Sequence, residues 1–174
     1  MKKLLFILVM TVIPMLAFAQ KSSISQFMKK YDNDENAEKL RLGGLVLDLA
    51  VSFSDDKDSK KWLKKLKRIR LLVLEEKSAV SDGDYRQLIK GIQNDKYSPL
   101  IKLRDAGNSV DIFAQEDGEH IRKVCVIVRS DDEFILLDLH GLLKFEDLND
   151  LELEMEGSDY LKKLPDDRSK LPKA

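Results

Sequence analysis

The chain has 174 residues, 43% of them hydrophobic, and its 30 Lys and Arg against 31 Asp and Glu leave a formal net charge of −1. That length supports one domain with a proper core, and the near balance of charge gives no overall attraction to nucleic acid. A single cysteine, Cys125, excludes an internal disulfide, so packing must supply the stability.

The opening stretch MKKLLFILVMTVIPMLAFAQ reads as a signal peptide. Lys2 and Lys3 form a positive start, Leu4 to Leu16 an apolar run, and Ala17-Phe18-Ala19 a small-x-small cleavage site, with the cut expected between Ala19 and Gln20. The apolar run is short of the roughly 20 residues that span a bilayer, and no second one follows, so no transmembrane segment is expected after signal removal. Position 20 is Gln rather than a lipid-accepting Cys, which points away from a lipoprotein. Cleavage would remove Lys2 and Lys3 and take the charge to −3. The expectation is a soluble exported protein, periplasmic or secreted.

Residues 20–36 read as a polar lead-in with a short helix around Ile24, Phe27 and Met28. The run at 39–42, KLRL, suits a short strand, and Gly43-Gly44 opens LVLDLAVSF, a buried helix by its apolar content. Next comes SDDKDSKKWLKKLKRI, with Trp62, Leu63, Leu66 and Ile69 at helical spacing. Residues 70–76, RLLVLEE, are strand-like. Tyr85, Leu88, Ile89 and Ile92 then line one face of a helix behind an Asp-rich start. Past Pro99 come four β-type runs, LIKLRDA, SVDIFAQ, IRKVCVIVRS and EFILLDLHG, broken by the turn signals Gly107-Asn108, Asp117-Gly118 and Asp131-Asp132. FEDLNDLELEM suits a last short helix. The organisation read from this is a signal at 1–19, the lead-in, a single α+β domain over 37–157 and a flexible tail over 158–174.

Alternation within the strands sets their register. A two-residue turn at Asp131-Asp132 pairs Val128 with Ile135, which puts Val124, Val126 and Val128 on one face with Ile135, Leu137 and Leu139. Adding Val110, Ile112 and Ala114 to that face requires a three-residue loop, Glu116-Asp117-Gly118, with Gly118 left-handed. The fold class expected is therefore α+β and two-layer. An antiparallel meander sheet of four to five strands in the C-terminal half is covered on its aliphatic face by helices from the N-terminal half. The opposite face is mixed, carrying Phe113, Cys125, Phe134, Leu136, Asp138 and His140. Either the N-terminal segment or the last helix packs on it, or it meets a partner through Phe113, Phe134, Leu136 and His140.

No catalytic, cofactor or metal residues are assigned. Cys125 lies mid-strand opposite Asp138, and His140 opposite Lys123, so thiol and imidazole are diagonal neighbours about 7–8 Å apart, too far for a nucleophile and its base. His120 starts one strand and His140 ends the next, and no third ligand of sensible spacing joins them. DNDEN at 32–36 opens like a calcium loop but has Ala37 where the loop needs Gly and Gly43 where it needs Glu. Lys60, Lys61, Lys64, Lys65, Lys67 and Arg68 surround the Trp-Leu-Leu-Ile stripe and make a candidate helix for an anionic surface. The acids before them and the bases after also suit the dipole of an ordinary surface helix.

Taken together, the Gly-Gly-opened apolar helix, the basic stretch into IRLLVLEE, and four strands ending in EFILLDLHGLLKFEDL resemble the family called domain of unknown function 4252. The likeness spans about residues 37–150 and implies a small exported protein of Bacteroidota-type bacteria. It supplies no catalytic residues. The functional expectation is a non-catalytic binding or accessory module of the cell envelope, with an envelope protein as partner or peripheral contact with an anionic surface. The alternatives are a periplasmic enzyme assembled from dispersed polar residues, or an envelope sensor coupled to a signalling protein.

Overall fold

The computed structural model describes residues 21–53, 60–61, 63–75, 80–105 and 107–149. The signal segment with its Ala19–Gln20 junction, Trp62 and the tail at 158–174 lie outside the described residues. Six strands form one antiparallel sheet: β1 (Ala37–Gly43), β2 (Leu66–Glu75), β3 (Ser98–Asp105), β4 (Asn108–Asp117), β5 (His120–Arg129) and β6 (Glu133–Leu143). Their spatial order is β1-β2-β6-β5-β4-β3. The helices are α1 (Ser23–Lys30), α2 (Leu45–Phe53), α3 (Asp82–Asn94) and α4 (Phe145–Asn149). The meander expected in the C-terminal half is β3 to β6. Two N-terminal strands extend it beside β6, so the sheet has six strands rather than four to five.

The basic stretch is where reading and structure part. Lys60, Lys61 and Leu63 are helical, but β2 begins at Leu66, so Leu66 and Ile69 are strand residues and Lys67 and Arg68 lie between them. A register shift between Leu66 and Arg68, where β2 pairs with β6, explains the misreading. A bulge adds one residue, so side chains three apart reach the same face of the sheet, which imitates helical spacing. Leu66 and Ile69 accordingly join one core cluster. Gly141, opposite Leu66, is part of the arrangement: a methyl group there would overlap the Lys65 carbonyl oxygen and stand 3.1 Å from Leu66 Cα.

Elsewhere the turn chemistry sets the pairing as read. Val128 pairs with Ile135, Cys125 with Asp138 and Lys123 with His140. Val110, Ile112 and Ala114 pair with Val128, Val126 and Val124. Gly118 is left-handed at φ 63°. Asp117 pairs directly with His120, however, and the extra residue is absorbed by a shift between Gln115 and Glu116 rather than by a three-residue loop. A bulge and a longer loop move side chains between faces identically, so the faces come out the same.

Two buried clusters occupy the two sides of the sheet. Val110, Ile112, Ala114, Val124, Val126, Val128, Ile135, Leu137 and Leu139 make the aliphatic one, joined by Leu47 of α2 and by the partly buried Leu63 and Phe145. The other gathers Leu72, Leu74, Phe113, Cys125, Ile127, Phe134 and Leu136 with Ile24, Phe27 and Met28 of α1 and Leu88 and Ile92 of α3. Thus α1 covers the mixed face, which is the N-terminal cover given as one alternative for it, and α3 packs there too rather than on the aliphatic face. The aromatic side chains there explain the preference: Phe27 sits 5.5 Å from Phe134, ring to ring, in a tilted pair. The joint between the helices depends on Gly91, since a Cβ there would lie 2.5 Å from Ser23 Cβ. The start of α1 is held by Ser22, which accepts from Ser25 N, and by Asp95 Oδ2, which accepts from Ser23 N at 2.6 Å.

Candidate functional site

Around Cys125 and His140 the strands build a charged network. Asp138, fully buried on β6, accepts from Arg70 Nε of β2 at 2.8 Å, and Arg70 Nη2 lies 2.6 Å from the same carboxylate oxygen. Arg70 Nη1 continues to Ser25 Oγ of α1 at 2.8 Å. On the other side, His140 Nε2 lies 3.1 Å from Asp138 Oδ1, and Arg68 Nη2 stands 2.8 Å from the imidazole. Burial pushes the Asp138 carboxyl up, but the hydrogen bond and charge of His140, then those of Arg70, outweigh it and hold the group below the usual carboxylate value. The Cys125 thiol goes the other way, raised by burial and by the neighbouring Asp138 charge. A buried thiol that resists ionisation is no nucleophile. The network ties α1 to the sheet, and the nucleophile-and-base reading of Cys125 and His140 has no geometry behind it.

A second buried carboxylate, Asp111 of β4, faces α3. It accepts from Tyr85 Oη, and its Oδ1 and Oδ2 accept from Arg104 Nη2 of β3 at 2.9 and 2.8 Å. Burial, followed by that hydrogen bond, raises the Tyr85 hydroxyl to about 12. Beside this knot a cleft of about 290 Å³ opens between α3 and β3, lined by Arg86, Lys90 and Gln93 on the helix and Lys102 and Arg104 on the strand. A larger groove, about 390 Å³, runs between α1 and α3, where Lys30 and Tyr31 reach Asp84 at 2.6 and 3.0 Å. Among the described residues, no group of three or more His, Cys, Asp or Glu is placed to hold a metal ion.

The third feature is apolar. Read from sequence as a buried helix, α2 is largely exposed: Leu45 keeps 80% of its surface, Val46 52% and Leu49 57%, and of these leucines and valines only Leu47 is buried. Its start adjoins the basic stretch, because Gly43 pairs with Arg68. Lys61, Lys64, Lys67 and Arg68 are exposed there, while Lys60 is half-buried. Lys65 is drawn inward to Asp147 of α4, and the exposed Leu142 donates its amide to Lys65 O at 2.9 Å.

Of the four residues read as a partner face, Phe113, Phe134 and Leu136 are buried in the helix-side cluster, so an internal cover occupies them. Only His140 keeps partial exposure. The six basic residues of the proposed surface helix stay close in sequence but divide between a helical turn and a strand. The sequence reading missed Arg70, Asp111 and the exposure of α2. A signal for the first two existed: a charge at an inward-facing strand position, as in SVDIF and LLDLH, calls for a buried counter-charge.

The family model described as Domain of unknown function (DUF4252) matches residues 31–151, more than half of the chain. The chain belongs to this family. The DUF4252 match takes in all six strands with α2, α3 and α4, and it begins just after α1. In this DUF4252 chain, then, Ile24, Phe27 and Met28 complete a buried cluster from outside the matched span. No curated protein and no solved structure matches the chain.

Proposed function

We propose that this protein is an exported, non-catalytic module of the cell envelope that lies against an anionic lipid surface through α2 and the basic residues beside it. One observation carries the reading: Leu45, Val46 and Leu49 face solvent on a helix whose start adjoins Lys67 and Arg68. Apolar side chains inserted at the headgroup boundary, with lysines around them, are the make-up of a peripheral membrane contact. Each lysine near such a surface adds about 1 kcal/mol, weakened by salt. No helix of the described residues is long and apolar enough to cross a membrane, and a peripheral contact needs none. The non-catalytic part is supported by the pairing of the buried acids, Asp138 with Arg70 and His140, Asp111 with Arg104 and Tyr85, and Asp147 with Lys65. Export is supported by the signal-like start.

Sedimentation with vesicles of phosphatidylglycerol and phosphatidylcholine tests the contact. Binding should rise with the anionic fraction and fall with salt. Leu45→Asp with Leu49→Asp, and separately Lys61→Glu with Lys64→Glu and Lys67→Glu, should each weaken it at least tenfold while leaving the circular dichroism spectrum unchanged. If the wild-type protein stays in the supernatant with purely anionic vesicles at low salt, the membrane reading is wrong.

A further inference from the structure

The sheet ends in two edges that are built differently. On β1 the cations are occupied: Lys39 Nζ donates to Asp32 O at 2.5 Å, and Arg41 pairs with Asp32 at 2.6 Å. On β3, which among the described residues pairs only with β4, Lys102 and Arg104 point toward α3 and meet Arg86 and Lys90 across the cleft. Among the described residues no carboxylate forms an ion pair with Arg86, Lys90 or Lys102; the charge of Arg86 acts on Asp82 from a distance, and Lys102 Nζ stands 6.0 Å from the Phe113 ring centroid. The one acid lining the cleft, Asp111, is buried and taken by Tyr85 and Arg104. The other side of the same strand is apolar, with Ile101 and Leu103 half-buried against the aliphatic cluster.

We propose that the β3 edge and the cleft beside it bind an extended peptide segment of alternating acidic and apolar residues, added as a seventh strand. An edge strand offers a row of unpaired backbone donors and acceptors, which is what strand addition uses for affinity. Side chains of an added strand alternate between faces. Those on the α3 side meet Lys102, Lys90 and Arg86, which select carboxylates. Those on the far side extend the row of Ile101 and Leu103, which selects leucine-like side chains. The stretch Leu100–Arg104 accommodates about five residues, roughly 16 Å of strand at the usual rise.

The probe is a labelled seven-residue peptide alternating glutamate and leucine, followed by fluorescence anisotropy with the full chain. It should bind saturably. A peptide of the same composition with glutamates and leucines in separate blocks should bind at least tenfold more weakly, and so should an oligoglutamate. Lys90→Glu with Lys102→Glu, both at exposed positions, should cost at least tenfold for the alternating peptide. Hydrogen exchange of the β3 amides should slow when it binds. Equal affinity for the blocked peptide or the oligoglutamate, or no effect of the double variant, would overturn the proposal, as would failure of the alternating peptide to bind. The site is separate from α2, so Lys61→Glu with Lys64→Glu should leave peptide binding unchanged whatever it does to vesicle binding. Loss of peptide binding in that variant also counts against the proposal.

Discussion

Asp138 shows how one buried charge becomes tolerable in this sheet. The carboxylate has left water entirely, and it remains ionised because Arg70 and His140 converge on it from the neighbouring strand and its own. Removing one partner of such a pair strands the other, at a cost of about 3–5 kcal/mol. Asp138→Asn should therefore destabilise the protein by several kcal/mol at pH 7, read as a lower urea midpoint. The pH dependence follows from the depressed carboxyl. In the unfolded chain an Asp titrates at about 3.9. The folded group titrates lower, so its contribution is present above that value and disappears as pH falls through the folded pKa. The gap between wild type and Asp138→Asn should hold from pH 7 to 5 and shrink below about pH 4. Asp82 and Asp84, also held low by their partners, are common to both proteins and cancel in the difference. A gap that stays constant down to pH 2 would show that Asp138 does not carry the acid limb.

At the scale of elements, the decisive contact is between α1 and α3. Gly91 lies in mid-helix, where Ala is ordinarily better by about 0.8–1.0 kcal/mol. Here an added methyl would run into Ser23, so Gly91→Ala should instead destabilise by about 1–3 kcal/mol. Ser23→Gly in the same chain should restore much of the loss. Thermal melts of the two single variants and the double variant decide it, and a stabilising Gly91→Ala removes the packing argument. This contact also marks the limit of what the sequence made legible. The pairings of β4, β5 and β6 could be registered from alternation and the turn signals at Asp117-Gly118 and Asp131-Asp132, because turn and pleat are local. The start of β2 was misread as helix because a bulge copies helical spacing, and nothing local distinguishes the two. Which face α1 and α3 cover depends on Phe27 meeting Phe134 across 107 positions of chain, and periodicity carries no information about such pairings. Of the functional surface, the lysines were readable as a charged run; the exposure of Leu45, Val46 and Leu49 was not, since apolar content predicts burial by default.

On the scale of the whole molecule, one sheet separates two buried clusters among the described residues. The aliphatic cluster and the helix-side cluster share no residue, and strand alternation keeps them on opposite faces. Energetic coupling between core positions should then follow the faces rather than the chain. Ile112 of β4 belongs to the aliphatic side and Ile92 of α3 to the other, both fully buried. Ile→Val at either should cost about 0.5–1.5 kcal/mol. Combined, the two should add to within about 0.3–0.5 kcal/mol, as independent sites do. Ile112 and Val126 are cross-strand partners on one face, so Ile112→Val with Val126→Ala should depart from additivity by at least about 0.5 kcal/mol. Urea unfolding of wild type, the two single variants and the double variant in each cycle measures both terms. Additivity of the same-face pair together with coupling of the opposite-face pair would mean that the sheet transmits strain through its plane, and the two clusters would then be one core.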